Sequence, residues 1–304
     1  TCAAGGARPG RSTILTEPGN FPTDLHVAEG VAGLLPGRQV RTVAADCIAA
    51  AIDTDTAIVL LTHVHYKTGW RHDMAAICRA ARAAGALTLW DLSHSVGAVP
   101  VDLGQDGADL AVGCGYKYLN GGPGAPAFLF ARRGLQGDLA SPVSGWMGHA
   151  QPFAFGDEWA AAAGMARFLA GTPPILGMAA LEAGVQIVEE AGVDALWAKS
   201  VSLFELFAAR VAALAPDLRC VSPAVPNARG SHISFAHPEA YGIVQALIAS
   251  GVVGDFRAPD IARFGITPLY IGYADVWRAT ETIGLAMQEE RWRDPAFAVR
   301  RRVT

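Results

Sequence analysis

Gly115-Tyr116-Lys117-Tyr118-Leu119-Asn120-Gly121-Gly122-Pro123-Gly124 decides the reading of this chain. The apolar run Ala108-Asp109-Leu110-Ala111-Val112 leads into it, so Lys117 stands where a buried strand gives way to a glycine-rich turn. The chain has only three lysines, Lys67, Lys117 and Lys199, and arginine carries nearly all the remaining positive charge. Upstream, Trp90-Asp91-Leu92-Ser93-His94-Ser95 puts an aspartate at the end of a second run, Ala86 to Asp91.

Taken singly, Lys117 reads as a surface lysine and Asp91 as a helix N-cap. Together they suit a pyridine aldehyde. A lysine amine condenses with the aldehyde, and a carboxylate keeps the ring nitrogen protonated so that the ring can accept electrons. The pair predicts a pyridoxal 5'-phosphate site with the cofactor carried as a Schiff base on Lys117.

Working outward, the first half alternates strand and helix. Strands are predicted at Ser12–Thr16, Thr56–Val64, Ala86–Asp91, Leu110–Cys114 and Ala125–Phe130. Helices are predicted at Thr23–Leu35, entered through Pro22, and at Asp73–Ala84, stopped by Gly85. Such alternation implies an α/β fold with a mostly parallel sheet covered on both faces. Ligands of such sheets sit at the C-terminal strand ends, where Thr62, Asp91 and Lys117 fall. The second half changes character. Helices at Ile175–Val188, Ala195–Leu214, Glu239–Ser250 and Ala274–Glu290 alternate with short strands near Arg219–Val221, Ser231–Phe235 and Gly254–Arg257. A length of 304 residues suits two domains at roughly 150 residues each. We read residues 1–185 as a large cofactor-binding domain and 186–304 as a smaller C-terminal α/β domain.

Composition narrows the function. The net charge of −4 gives no electrostatic reason to expect nucleic acid or an acidic membrane surface. The longest apolar run, Ala57–Leu61, is far short of the roughly 20 residues of a transmembrane helix. Five scattered cysteines without a C-x-x-C spacing read as free thiols in a reducing cytoplasm. His63 and His65 lie two apart but lack a third ligand, so they read as structural and no metal is expected. Asp106 and Asp109 read as loop and strand-edge residues, and Arg300-Arg301-Arg302 as a solvated tail.

Four more segments complete a set: Asn20-Phe21-Pro22-Thr23-Asp24, Leu61 to Gly69 with Thr62 at its start, Ser144-Gly145-Trp146-Met147-Gly148-His149, and Gly171-Thr172-Pro173-Pro174-Ile175. With Asp91-x-x-His94 and Tyr116-Lys117-Tyr118-Leu119-Asn120, and in this order, they closely resemble kynureninase from about Arg8 to Trp292. That family belongs to the fold-type-I pyridoxal phosphate enzymes, and the resemblance implies their fold. It implies Lys117 as the cofactor lysine and Asp91 as partner of the ring nitrogen. Phe21 is implied as the stacking aromatic beside Thr23 and Asp24. Thr62 and His94 are implied as cofactor contacts, and Tyr116 as a phosphate-bound tyrosine that also acts as general acid. The resemblance also implies a homodimer in which Trp146 and Thr172 reach the partner's cofactor. Arg263 is implied as the clamp on the substrate α-carboxylate, a task suited to its planar fork; Arg257 is the competing candidate, read as a structural ion-pair residue.

The implied reaction is hydrolysis of L-kynurenine, or its 3-hydroxy derivative, to anthranilate and L-alanine by Cβ–Cγ cleavage in tryptophan catabolism or NAD biosynthesis. Gly171-Thr172 stands where enzymes preferring the 3-hydroxy substrate resemble one another in a Ser-Asn pair. One departure stands out. Only Thr1–Gly19 precede the Asn20 motif, whereas the family carries a longer segment there, which supplies a Ser/Thr phosphate-binding turn and a substrate-contacting histidine. An incomplete phosphate cup is the expectation, and an inactive fragment is one alternative. Another is a cysteine desulfurase or selenocysteine lyase, although those place a histidine directly before the lysine and a reactive cysteine in a mobile loop. A nicotinamide-dependent enzyme would need G-x-G-x-x-G after the first strand, and the chain has none there.

Overall fold

The structure is a computed structural model that describes residues 1–299; the Arg300–Arg302 tail lies outside the described residues. The chain divides into two compact units. The first comprises Thr1–His63, His72–Val96 and Val101–Ile187; the second comprises Val64–Arg71, Gly97–Pro100 and everything from Val188 onward.

In the first unit the elements run α1 (Cys2–Gly6), β1 (Thr13–Thr16), α2 (Pro22–Leu34), β2 (Gln39–Thr42), α3 (Ile48–Ala51), β3 (Thr56–Thr62), α4 (Met74–Ala84), β4 (Leu87–Asp91), β5 (Leu110–Cys114) and β6 (Ala127–Ala131), followed by α5 (Ile175–Ala191). The sheet order is β2-β1-β3-β4-β5-β6. All neighbours are parallel except β5 and β6. Every residue of β3 is buried, as an unbroken apolar strand at the centre of a two-sided sheet must be. Helix α4 shows how the coverage is built. Asp73 caps it by accepting from Ala76 N at 2.8 Å, Met74, Ile77, Cys78 and Ala81 form its buried stripe, and Gly85 stops it in the left-handed conformation. One core packs Leu15, Val59, Leu61 and Trp90 against that stripe. A second packs Ile14, Ile58, Leu60 and Leu89 against Ala28 of α2 and Ala4 of α1.

The second unit continues with α6 (Val193–Leu214), β7 (Arg219–Cys220), β8 (His232–Ala236), α7 (Ala240–Ala249), β9 (Asp255–Arg257), β10 (Ile261–Gly265), α8 (Tyr273–Gln288) and α9 (Pro295–Ala298). Its sheet, β7-β8-β10-β9, is antiparallel throughout. Phe207, Phe235 and Phe264 stack at its centre with ring centroids 5.4–6.3 Å apart.

Three details differ from the sequence reading. Strand β6 is antiparallel because only a loop, not a helix, joins it to β5, and that loop carries Lys117. Strands β2 and β10 were not anticipated: each is short, and β10 carries Arg263 in its middle. Asp109 is no open edge residue. It is 6% exposed, accepts from Thr88 N at 3.1 Å and pairs with Arg132 at 3.1 Å.

Candidate active site

The C-terminal ends of β3, β4 and β5 present Thr62, Asp91 and, two residues past β5, Tyr116-Lys117. The loop after β5 is fixed by close backbone packing. A Cβ on Gly115 would stand 2.6 Å from the Pro126 carbonyl, and one on Gly121 would stand 2.8 Å from both Ala125 Cβ and the Gly115 carbonyl. Only glycine allows this approach. Gly121 N donates to that same Gly115 carbonyl at 3.0 Å, and Asn120 N to the Lys117 carbonyl at 2.9 Å, so Lys117 sits in a tightly closed turn. Lys117 Nζ lies 5.9 Å from the Phe21 ring centroid and 5.5 Å from that of Tyr116. The other lysines serve elsewhere: Lys199 donates to the Pro268 carbonyl at 2.6 Å, and Lys67 lies over the Tyr66 ring.

The start of α2 supplies the facing groups. Asn20 is a buried hub that sequence reasoning passed over. Its Nδ2 donates to Thr16 Oγ1 at 3.1 Å, which fixes the amide orientation. Its Oδ1 then accepts from Phe21 N at 2.7 Å and from the Thr62 hydroxyl. Thr62 Oγ1 also donates to Asp24 Oδ2 at 3.2 Å, so its one proton is shared between two acceptors.

Burial and the nearby negative charge of Asp91 push the Asp24 carboxyl up to about 7, with a hydrogen bond to Asp91 adding to the effect and the Thr62 hydrogen bond and Lys117 opposing it. Two carboxyls that share a buried site do not both ionise readily. Asp91 is 6% exposed and accepts from Ser93 N at 2.7 Å. His94 is buried on the turn that follows. His63 continues into the same network: its backbone N bonds to the Asp91 carbonyl at 2.9 Å, and its ring to Ser95 Oγ at 2.9 Å. His65 belongs to the second unit, where its ring faces Thr68.

The remaining sequence candidates fall in two places. Thr23, Trp146 and Thr172 lie in the first unit and are exposed. Trp146 packs with Phe153 and Phe155 at ring distances of 5.7 and 6.3 Å. Tyr116 is 52% exposed. Arg263 lies in the second unit, where Asp255 and the Tyr66 carbonyl hold it.

Within one unit, therefore, a lysine amine, an aromatic face, a hydroxyl and a buried carboxyl pair converge. A carboxyl pair that can hold either a proton or a cation suits a protonated pyridine nitrogen, and the amine suits an aldehyde. The donor set fits pyridoxal phosphate.

Fold and site define a fold-type-I pyridoxal phosphate enzyme. An apo cysteine desulfurase from Thermococcus onnurineus NA1 superposes with a TM-score of 0.80 at 19% identity, over 94% of this chain and 76% of that one. The cystine C–S lyase C-DES, with glycine covalently linked to its PLP cofactor, gives 0.78 at 19% identity over 93% and 78%. At such identity these structures speak for the fold alone. The sequence is far nearer to another group. Kynureninases from Pseudomonas fluorescens and Burkholderia mallei (strain SAVP1) are 47% and 46% identical over 300 and 301 residues, 97% of this chain and 72% of each relative. The kynureninase C-terminal domain family matches residues 196–283. The chain belongs to the kynureninase family, pyridoxal phosphate-dependent enzymes that cleave a carbon–carbon bond. Among the described residues no helix is long and apolar enough to cross a membrane.

Proposed function

We propose that this chain hydrolyses L-kynurenine to anthranilate and L-alanine, with Lys117 and Tyr116 as its catalytic residues. The observation that carries the reading is the gathering of Lys117, Phe21 and the Asp24–Asp91 pair in one unit of a chain 47% identical to a kynureninase. When bound, pyridoxal phosphate supplies an electron sink for the substrate Cα. Asp91, with Asp24 beside it, would hold the ring nitrogen. Phe21 would cover a ring face, Thr62 and His94 would line the ring, Thr23 lies at the start of α2, and Tyr116 Oη would hold the phosphate. Lys117 Nζ would hold the aldehyde carbon and, once free, would take the substrate Cα proton and return it to Cα as alanine forms. Water adds its oxygen to the γ-carbonyl carbon, which leaves as the anthranilate carboxylate when the Cβ–Cγ bond breaks. The proton that completes the alanine methyl group goes to Cβ from Tyr116 Oη. Such acid–base assistance contributes roughly 10²–10⁴-fold.

Arg263 is the residue we assign to the substrate α-carboxylate. Gly171-Thr172, in place of a Ser-Asn pair, favours L-kynurenine over its 3-hydroxy derivative; comparing kcat/KM for the two tests this. The protein acts as a homodimer in which Trp146 and Thr172 reach the partner's cofactor. The outward-facing cluster of Trp146, Phe153 and Phe155, the last two about three-quarters exposed, supports that reading, because exposed aromatic patches mark interfaces. A monomer by light scattering would count against it. The free thiols suit a reducing cytoplasm, which fractionation of the producing cell tests.

The deciding assay follows anthranilate fluorescence with L-kynurenine, with and without added pyridoxal phosphate. A cofactor-dependent rise is expected. Sulfide release from L-cysteine without anthranilate formation would refute the assignment in favour of a desulfurase.

A further inference from the structure

The β9–β10 pair places Asp255 directly opposite Arg263, so the two side chains rise from the same face of the sheet. Arg263 Nε donates to Asp255 Oδ1 at 2.9 Å, and Nη2 donates to Oδ2 at 2.6 Å. This is the two-bond, side-on fork that fixes a guanidinium plane. Nη1 donates to the Tyr66 carbonyl at 2.6 Å. That carbonyl comes from Val64–Arg71, a segment belonging to the second unit and stitched to it by Arg71 N to the Ala228 carbonyl (2.9 Å) and Gly230 N to the Gly69 carbonyl (2.8 Å). Arg257 touches the same Asp255 Oδ2, but by a single contact at 3.2 Å. The Arg263 side chain is 11% exposed and that of Arg257 38%. The buried, doubly held arginine is the one whose direction is set.

We infer that Asp255 is a positioning residue for substrate recognition. It fixes the plane of Arg263 so that the end-on fork, Nη1 with Nη2, meets the α-carboxylate of an amino-acid substrate. The inference rests on the assignment of Arg263 as carboxylate clamp. A carboxylate beside the clamp weakens its pull on another anion, but Arg257 offsets this: two guanidinium groups around one carboxylate leave a net positive charge.

The test uses the cofactor-loaded protein and three variants, Asp255→Asn, Asp255→Glu and Arg263→Lys. Steady-state kinetics with L-kynurenine are compared with binding of its decarboxylated amine analogue. Asp255→Asn should raise KM roughly 10- to 100-fold, the scale of one lost hydrogen bond to a charged group. It should change kcat by less than about threefold, as expected for lost uniform binding. Affinity for the decarboxylated analogue should stay constant, and Asp255→Glu should recover part of the KM. If Arg263→Lys leaves KM unchanged, the clamp assignment itself fails. If Arg263→Lys raises KM and Asp255→Asn does not, the clamp stands and the role of Asp255 is refuted. An Asp255→Asn protein that loses affinity for both ligands together with its thermal midpoint also refutes it, because Asp255 would then serve the fold alone.

Discussion

Replacing Asp24 by Asn removes a titration that the fold makes costly. Asp24 is raised from its ordinary value of 3.8 to about 7, by burial first and by Asp91 second. The folded chain thus holds a proton on Asp24 between about pH 4 and 7 that the unfolded chain releases. Stability rises with pH only where the unfolded state binds more protons. Here it binds fewer, so stability falls as pH rises from about 4 through about 7, and the penalty is complete above that. Full conversion of a shift of about 3 units at 1.36 kcal/mol each gives ~4 kcal/mol. Asp24 is partly solvated and hydrogen-bonded to Asp91, so about 1–2 kcal/mol is the working figure. Asn keeps one donor and one acceptor in place of the protonated carboxyl and cannot ionise. The assay is thermal denaturation of the cofactor-free protein and of Asp24→Asn from pH 5 to 8.5. The variant's advantage over the parent should be smallest near pH 5 and grow toward pH 8.5, by about 2–4 °C for each kcal/mol. A parent that gains stability as pH rises from 5 to 8, or a difference between the two that does not change with pH, refutes a proton on Asp24.

Thr62→Val keeps the shape but removes the proton given to Asn20; it should destabilise the chain by about 1–3 kcal/mol, read as a shift in urea midpoint. Gly121→Ala places a methyl where Ala125 and the Gly115 carbonyl already stand, so it should displace the Lys117 turn. Cofactor affinity, from absorbance titration, should fall at least tenfold, and unchanged affinity would mean the turn does not position Lys117. Tyr116→Phe should weaken cofactor binding through the lost phosphate contact and, with cofactor saturating, lower kcat by about 10²–10⁴-fold; weaker cofactor binding with kcat intact would remove Tyr116 from proton transfer.

Much of this arrangement is legible in the sequence. The unbroken apolar run of β3 and the Asp73 and Gly85 boundaries of α4 are local signals, and local signals locate elements well. The segments bearing Phe21, Asp24, Thr62, Asp91, His94 and Lys117 fold into one unit. What escaped was non-local. Strand β2, Gln39-Val40-Arg41-Thr42, is a half-exposed edge strand without a hydrophobic run to announce it. The tie between Asp255 and Arg263 exists only once β9 and β10 are in register. The role of Asn20 depends on Thr16 and Thr62 from two strands, so the motif alone does not show it. The raised Asp24 needs Asp91, 67 positions further along the sequence, to come close. His63 and His65, read as structural, stand two apart in the sequence, and the chain passes from one unit to the other between them.

The central claim is that Lys117 carries the cofactor, and a chain with three lysines allows a direct test. The protein is loaded with pyridoxal phosphate, reduced with borohydride to fix any lysine attachment, digested, and mapped by mass spectrometry. The account predicts a pyridoxyl group on the peptide containing Lys117 and its loss in Lys117→Ala, with the far-UV spectrum retained. A label on Lys67 or Lys199 that persists in Lys117→Ala would contradict it.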